Sequence, residues 1–150
     1  MLKSISIREI NINDIDILSK LIFQLGYQIS LNDMKQTIIT YLHNSNYRAY
    51  VAIANEKLIG VAAIIINDYF HKNEKFAIVS TLIVDENFRG KKVGTMLMDF
   101  IEKYAKEKGC ICMELKSGQH RVKDGTHNFY KDRGYVDNGI NQIYFKKSLV

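Results

Sequence analysis

Apolar and polar residues alternate at the start of the chain. Ile5 and Ile7 stand against Ser4, Ser6 and Arg8, which predicts a first strand. The period then changes. Ile15, Leu18, Ile22 and Leu25 recur at helical spacing, with Asn13 as N-cap, Asp14 and Asp16 near the positive helix end, and Gly26 as the stop. Ser30 opens a second helix whose apolar face is Met34, Ile38, Tyr41 and Leu42. Residues 50–54 and 58–66 read as a β-hairpin around Asn55, Glu56 and Lys57, and residues 76–84 as a further strand. A long helix follows over 93–108, where Val93, Met96, Leu97, Phe100, Ile101 and Tyr104 keep one face and Gly109 caps the end. Residues 111–115 predict a strand, 124–133 a short helix ended by Gly134, and 142–146 a last strand.

The order β-α-α-β-β-β-α-β-α-β, with room for one more strand, predicts an α/β fold. Its sheet is mixed, mostly antiparallel, of six to seven strands flanked by four helices. The crossover from Val84 to Ile111 is expected to be parallel and right-handed. At 150 residues, 47% of them hydrophobic and 25% charged, the chain matches one domain over 1–150 and excludes disorder and disulfide scaffolds. The N-terminus lacks a signal-peptide run, and the longest apolar stretch, residues 58–66, is too short to span a bilayer. A cytoplasmic protein that engages no membrane is expected. Cys110 and Cys112 lack the spacing of a redox or zinc pair, so they read as core cysteines in a reducing compartment, and no metal is expected.

The net charge of +5 is compatible with an anionic partner without choosing one. One segment narrows the choice. An apolar strand ends at Val84. After Asp85-Glu86-Asn87-Phe88 comes Arg89-Gly90-Lys91-Lys92-Val93-Gly94-Thr95, a basic, glycine-containing turn that opens the long helix. Free N–H groups at a helix start and the helix dipole both favour an anion, so this turn is built for phosphate. It is neither a P-loop nor a dinucleotide-binding GxGxxG. A basic DNA- or RNA-binding domain competes poorly, because no such motif is visible and the cations gather at one helix start.

Arg89 to Gly94 resembles the pyrophosphate loop, [Q/R]-x-x-G-x-[G/A], of the GCN5-related N-acetyltransferases. The stretch from Glu114 through Tyr135, ending Phe129-Tyr130-Lys131-Asp132-Arg133-Gly134-Tyr135, is similar to that family's strand 5 and helix 4. Lys92 replaces the usual middle glycine, and Ser80 stands where many relatives place a glutamate base. The resemblance implies transfer of an acetyl group from acetyl-CoA to a primary amine of a small molecule or peptide, by direct attack in a ternary complex. It implies that Arg89, Gly90, Lys91, Lys92, Val93, Gly94 and Thr95 hold the pyrophosphate. Main-chain groups of Leu82, Ile83 and Val84 would pair with the pantetheine arm, on an edge opened by a splay between the strands carrying Val84 and Leu115. Asn128 would meet the arm or thioester end, and Tyr130 would act as general acid toward the leaving thiolate.

The same resemblance puts the 3′-phosphate near Arg121, Lys123, Lys131 or Arg133. It leaves the base open among a water held by Ser80 or Thr81, and His71, Asp68, Glu114, His120 and His127. Tyr27 and Tyr41 are candidates to line the acceptor pocket, with Asp33 and residues 25–31 and 137–141 nearby. A homodimer and a non-catalytic CoA-binding module of the same fold stay open as alternatives.

Overall fold

The computed structural model describes residues 4–117 and 125–150. Two compact units are present, Met1–Leu115 and Lys116–Val150.

In the first unit, five strands form one sheet in sequence order: β1 (Ser6–Glu9), β2 (Tyr47–Ala54), β3 (Lys57–Asp68), β4 (Lys75–Val84) and β5 (Cys110–Glu114). The first three pairings are antiparallel and the last, β4 with β5, is parallel. The parallel pair is joined through α3 (Val93–Glu107), as the β-α-β crossover requires. Helices α1 (Ile15–Gln24) and α2 (Leu31–His43) precede β2. Leu18 and Leu21 of α1, with Met34 and Ile38 of α2, share one core with Ala49, Val51, Val61, Ala63 and Ile83 of the sheet.

The opposite face carries α3. A Cβ added at Gly60, one residue out of step with Val61, would meet Leu97 Cδ1 at 3.1 Å and Val93 Cγ1 at 3.3 Å. Gly60 therefore lets the first turns of α3 settle onto the sheet just where β4 ends.

Several local details differ from the sequence expectation. The first helical turn is a short 3-10 segment, Ile12–Asp14, capped by Asn11 rather than Asn13. Asp14 is buried, and its two carboxylate oxygens each accept from Arg8 at 2.9 Å. Its charge is thus spent on a guanidinium and not on the dipole of α1. A register shift in the β4–β5 pairing sets Lys75 opposite Cys110 but Ala77 opposite Met113. The extra β5 residue breaks simple alternation between Cys110 and Cys112; both are free, and Cys112 is exposed.

The second unit contains α4 (Thr126–Asp132) and a 3-10 turn, Asn138–Ile140. Gly125 precedes α4 with φ +72° and Gly134 ends it with φ +93°. The strand expected over 142–146 is absent: among the described residues the strands number five, not six to seven. Ile143, Tyr144 and Phe145 are exposed, three bulky residues in a row with no alternation. Strand propensity without a ladder partner leaves such a segment unpaired. The fold class stands: a mixed α/β fold with a mostly antiparallel sheet and four helices.

Candidate active site

Strand β4 pairs with β3 along its whole length, from Lys75 opposite Asp68 to Val84 opposite Gly60. Its pairing with β5 stops at Ile78, opposite Glu114. Among the described residues, no strand pairs with β4 on its β5 side from Val79 to Val84. Antiparallel alternation decides which groups it offers. The Asp85 N–H donates to the Ile59 carbonyl at 2.8 Å, so Asp85 and, two residues back, Ile83 turn their main-chain groups toward β3. Leu82 and Val84 turn theirs to the open side. This refines the expectation, since Ile83 contributes a buried side chain to the core rather than a main-chain partner to the edge. The Val84 carbonyl already accepts from Arg89 Nε at 3.2 Å.

A 3-10 turn, Glu86–Phe88, follows the open edge. Asp85 Oδ1 accepts from the Asn87 N–H at 2.9 Å, and Gln24 Oε1 reaches from the end of α1 to accept from the Glu86 N–H at 3.0 Å. Gly90 (φ +74°) and Lys92 (φ +65°) then fold the chain into α3. Lys92 is the N-cap residue and offers no side-chain acceptor. The first bond of the helix is the Met96 N–H to the Lys92 carbonyl at 3.0 Å. The N–H groups of Val93, Gly94 and Thr95 thus precede the helical ladder, at a first turn with no acidic residue. Arg89, Lys91 and Lys92 are exposed beside them, Lys91 with its ammonium 5.4 Å from the Phe88 ring centroid. Open amides, a positive dipole end and three cations in one turn are chemically suited to an anion.

At the other end of the open edge lies a feature that the sequence pattern missed. The β3–β4 register shifts between Ala63, opposite Thr81, and Ile64, opposite Val79. Ser80 is the extra residue of a β-bulge and is exposed. Its Oγ lies 2.8 Å from the hydroxyl of Tyr41 on α2, whose ring packs edge-on against Tyr47 at 5.1 Å. Burial pushes the Tyr41 hydroxyl above its ordinary titration range, and the Ser80 hydrogen bond opposes that only in part. Thr81 Oγ1 donates to the Ser80 carbonyl at 2.8 Å. Residue spacing carries no signal for a contact between positions 39 apart. A bulge is equally invisible in a strand whose apolar run continues past it.

Among the other candidates, His71 and Asp68 sit at the far end of β3 and β4, where Asp68 pairs with Lys75 and His71 packs on Tyr69. Tyr27 is exposed. In the second unit, Tyr130 is half-buried, its ring edge-on to Phe129 at 5.2 Å and Tyr135 at 5.8 Å, and Asn128 is exposed. His120, Arg121 and Lys123 lie outside the described residues.

The profile of the Acetyltransferase (GNAT) family matches residues 15–135. Among curated proteins, the aminoalkylphosphonate N-acetyltransferase of Salmonella typhimurium is 27% identical over 106 residues, 71% of this chain and 64% of that protein. The chain thus spans under two thirds of that relative. Among solved structures, a GNAT family acetyltransferase from Staphylococcus aureus superposes with a TM-score of 0.79 at 27% identity, covering 98% of this chain and 100% of that one. An aminoglycoside N-acetyltransferase solved with CoA superposes at 0.83 with 17% identity, covering 98% and 96%.

Proposed function

Because the chain belongs to the acetyltransferase (GNAT) family, we propose that residues 1–150 act as one N-acetyltransferase domain that moves an acetyl group from acetyl-CoA to the primary amine of a small molecule or peptide. The observation that carries this reading is continuity. The open edge of β4 leads, through the turn over residues 85–92, to the uncapped, cation-flanked start of α3. An elongated ligand with amide groups along its arm and a pyrophosphate at one end fits that order of features.

In this reading the N–H groups of Val93, Gly94 and Thr95 and the turn Arg89-Gly90-Lys91-Lys92 hold the pyrophosphate. The main-chain groups of Leu82 and Val84 pair with the arm as an added strand would, once Arg89 releases the Val84 carbonyl. Asn128 orients the thioester end. The amine nitrogen attacks the acetyl carbon; the C–N bond forms, the C–S bond breaks, and the sulfur leaves with the electron pair. Tyr130 supplies the proton the sulfur takes up; the nitrogen sheds its surplus proton to water, and Tyr130 regains one from water. A tyrosine hydroxyl ordinarily titrates near about 10 and a thiol near about 8.5, so a tyrosine is the kind of group that carries a proton to a departing thiolate at neutral pH. Free thiols at Cys110 and Cys112 suit the reducing cytoplasm.

A net charge of +5 favours an acceptor that is not itself a polycation. With the curated relative named for aminoalkylphosphonates, aminomethyl- and aminoethylphosphonate head the amine panel.

The test is thermal melting with acetyl-CoA, CoA and ATP in parallel, followed by thiol release with the amine panel. A ligand at about a hundred times its Kd adds about 2.7 kcal/mol, or about 5–10 °C for a domain of this size. A shift with both CoA species and little with ATP supports the donor site. No shift with any of them overturns it. A CoA shift with no thiol release from any amine supports the non-catalytic binding module instead.

A further inference from the structure

We propose that Gln24, the last residue of α1, is a positioning residue for the donor turn, and that through it a bound donor steadies the end of α1. The inference rests on the donor reading above and adds to it a residue that lies outside the turn. Residues 86–92 carry the chain from β4 to α3. Within them Gly90 and Lys92 take left-handed backbone, with φ +74° and +65°. Lys92 is not a glycine, so this path is costly to hold. Bonds within the turn fold it: the Asn87 N–H donates to Asp85 Oδ1 at 2.9 Å, and the Phe88 N–H to the Asp85 carbonyl at 2.8 Å. They fix its shape but not its place. Among the described residues, one hydrogen bond joins residues 86–92 to an element other than the β4 and α3 they connect. It is the Glu86 N–H donating to Gln24 Oε1 at 3.0 Å, across 62 positions of the chain.

Gln24 suits this task. Leu18 and Leu21, both buried in the core, seat α1 on the sheet. A half-buried amide on so anchored a helix gives the turn a fixed reference. The place of the turn in turn sets where the N–H groups of Val93, Gly94 and Thr95 stand. The bond acts both ways, because coupling between two parts of a protein is reciprocal. An anion that steadies the turn also steadies Gln24. Directly after Gln24, the N–H groups of Leu25, Gly26 and Tyr27 close the helix on the carbonyls of Leu21, Phe23 and Ile22. Gly26 at φ +103° then turns the chain toward α2. Helix ends open most readily. A donor at the start of α3 therefore suppresses opening at the end of α1 without touching it.

The test removes the bond from each side. Gln24→Met keeps the length of the side chain and loses the acceptor. Glu86→Pro loses the N–H; residue 86 begins a 3-10 turn after an extended Asp85 (φ −50°, ψ 133°), where proline fits. CoA affinity, measured by isothermal titration, should weaken about three- to tenfold in each variant, the loss of one hydrogen bond. The double variant should lose no more than the worse of the two. Amide exchange followed by NMR should slow at Leu25, Gly26 and Tyr27 when CoA saturates the unsubstituted protein. It should not slow in saturated Gln24→Met, and Gln24→Glu, which keeps an acceptor, should restore the effect. Unchanged affinity in Gln24→Met, or losses that multiply in the double variant, overturn the positioning role. Exchange that CoA leaves unchanged in the unsubstituted protein, or slows equally in Gln24→Met, overturns the coupling. Failure of CoA to bind the unsubstituted protein removes the donor reading itself. Should Glu86→Pro fail to melt cooperatively, Gln24→Met against Gln24→Glu decides, and equal CoA-induced slowing in the two overturns the proposal.

Discussion

At the scale of single residues, the turn into α3 shows what each position contributes. Gly94 lies in the first helical turn, beside the place proposed for the pyrophosphate. Gly94→Glu adds bulk and a like charge there, and the CoA-induced melting shift should vanish while the ligand-free melting temperature changes little. Tyr130→Phe removes only a hydroxyl. Turnover should fall about a hundredfold with donor affinity retained, since general acid help of this kind is worth about that much or more; unchanged turnover would mean that another acid serves the thiolate. Asp14 makes a stability prediction instead. Burial pushes its carboxyl up, but two Arg8 hydrogen bonds and the Asn11 N–H outweigh burial and hold it below its ordinary value. A depressed carboxylate contributes stability that is complete above its unfolded pKa of about 3.9 and is lost as pH falls through the lower folded value. Asp14→Asn should cost about 1–3 kcal/mol at neutral pH and flatten the acid limb of the stability curve, as measured by denaturant melts.

At the scale of elements, the site depends on how β4 ends. One strand provides three things in sequence: a closed half against β5, a bulge at Ser80, and an open half leading to α3. Much of this was legible in the chain. The helical period from Val93 and Gly109 as its stop predict α3, which ends at Gly109 with φ +88°. What could not be read is where β5 stops pairing, because that depends on inter-strand register and not on β4's own composition. Gly60 belongs to the same class. It sits within a buried strand, and only the structure shows that its missing side chain admits Leu97 and Val93. A Cβ there would also lie 3.1 Å from the Ile83 carbonyl, a backbone atom that cannot yield. Gly60→Ala should destabilise the protein by about 1–3 kcal/mol and weaken CoA binding by displacing the start of α3. Loss of stability with unchanged CoA affinity would detach the helix position from the site.

At the scale of the whole molecule, local sequence and contacts between distant residues decide different features. The sequence by itself determined the mixed fold, the parallel crossover and the basic turn that opens α3. These follow from local periodicity, capping residues and the clustering of Arg89, Lys91 and Lys92, all written over short stretches. It also suggested a strand over 142–146 that the structure lacks, because β propensity describes a side chain's fitness for a sheet and not the presence of a partner. Tertiary structure alone decided that Ile83 faces β3 while Leu82 and Val84 face outward, that Asp14 is matched to Arg8, and that Tyr41 meets Ser80. Each of these depends on register or on contact between residues far apart in the chain. A one-residue shift in pairing reverses which groups an edge presents, and no property of either strand taken alone records that shift.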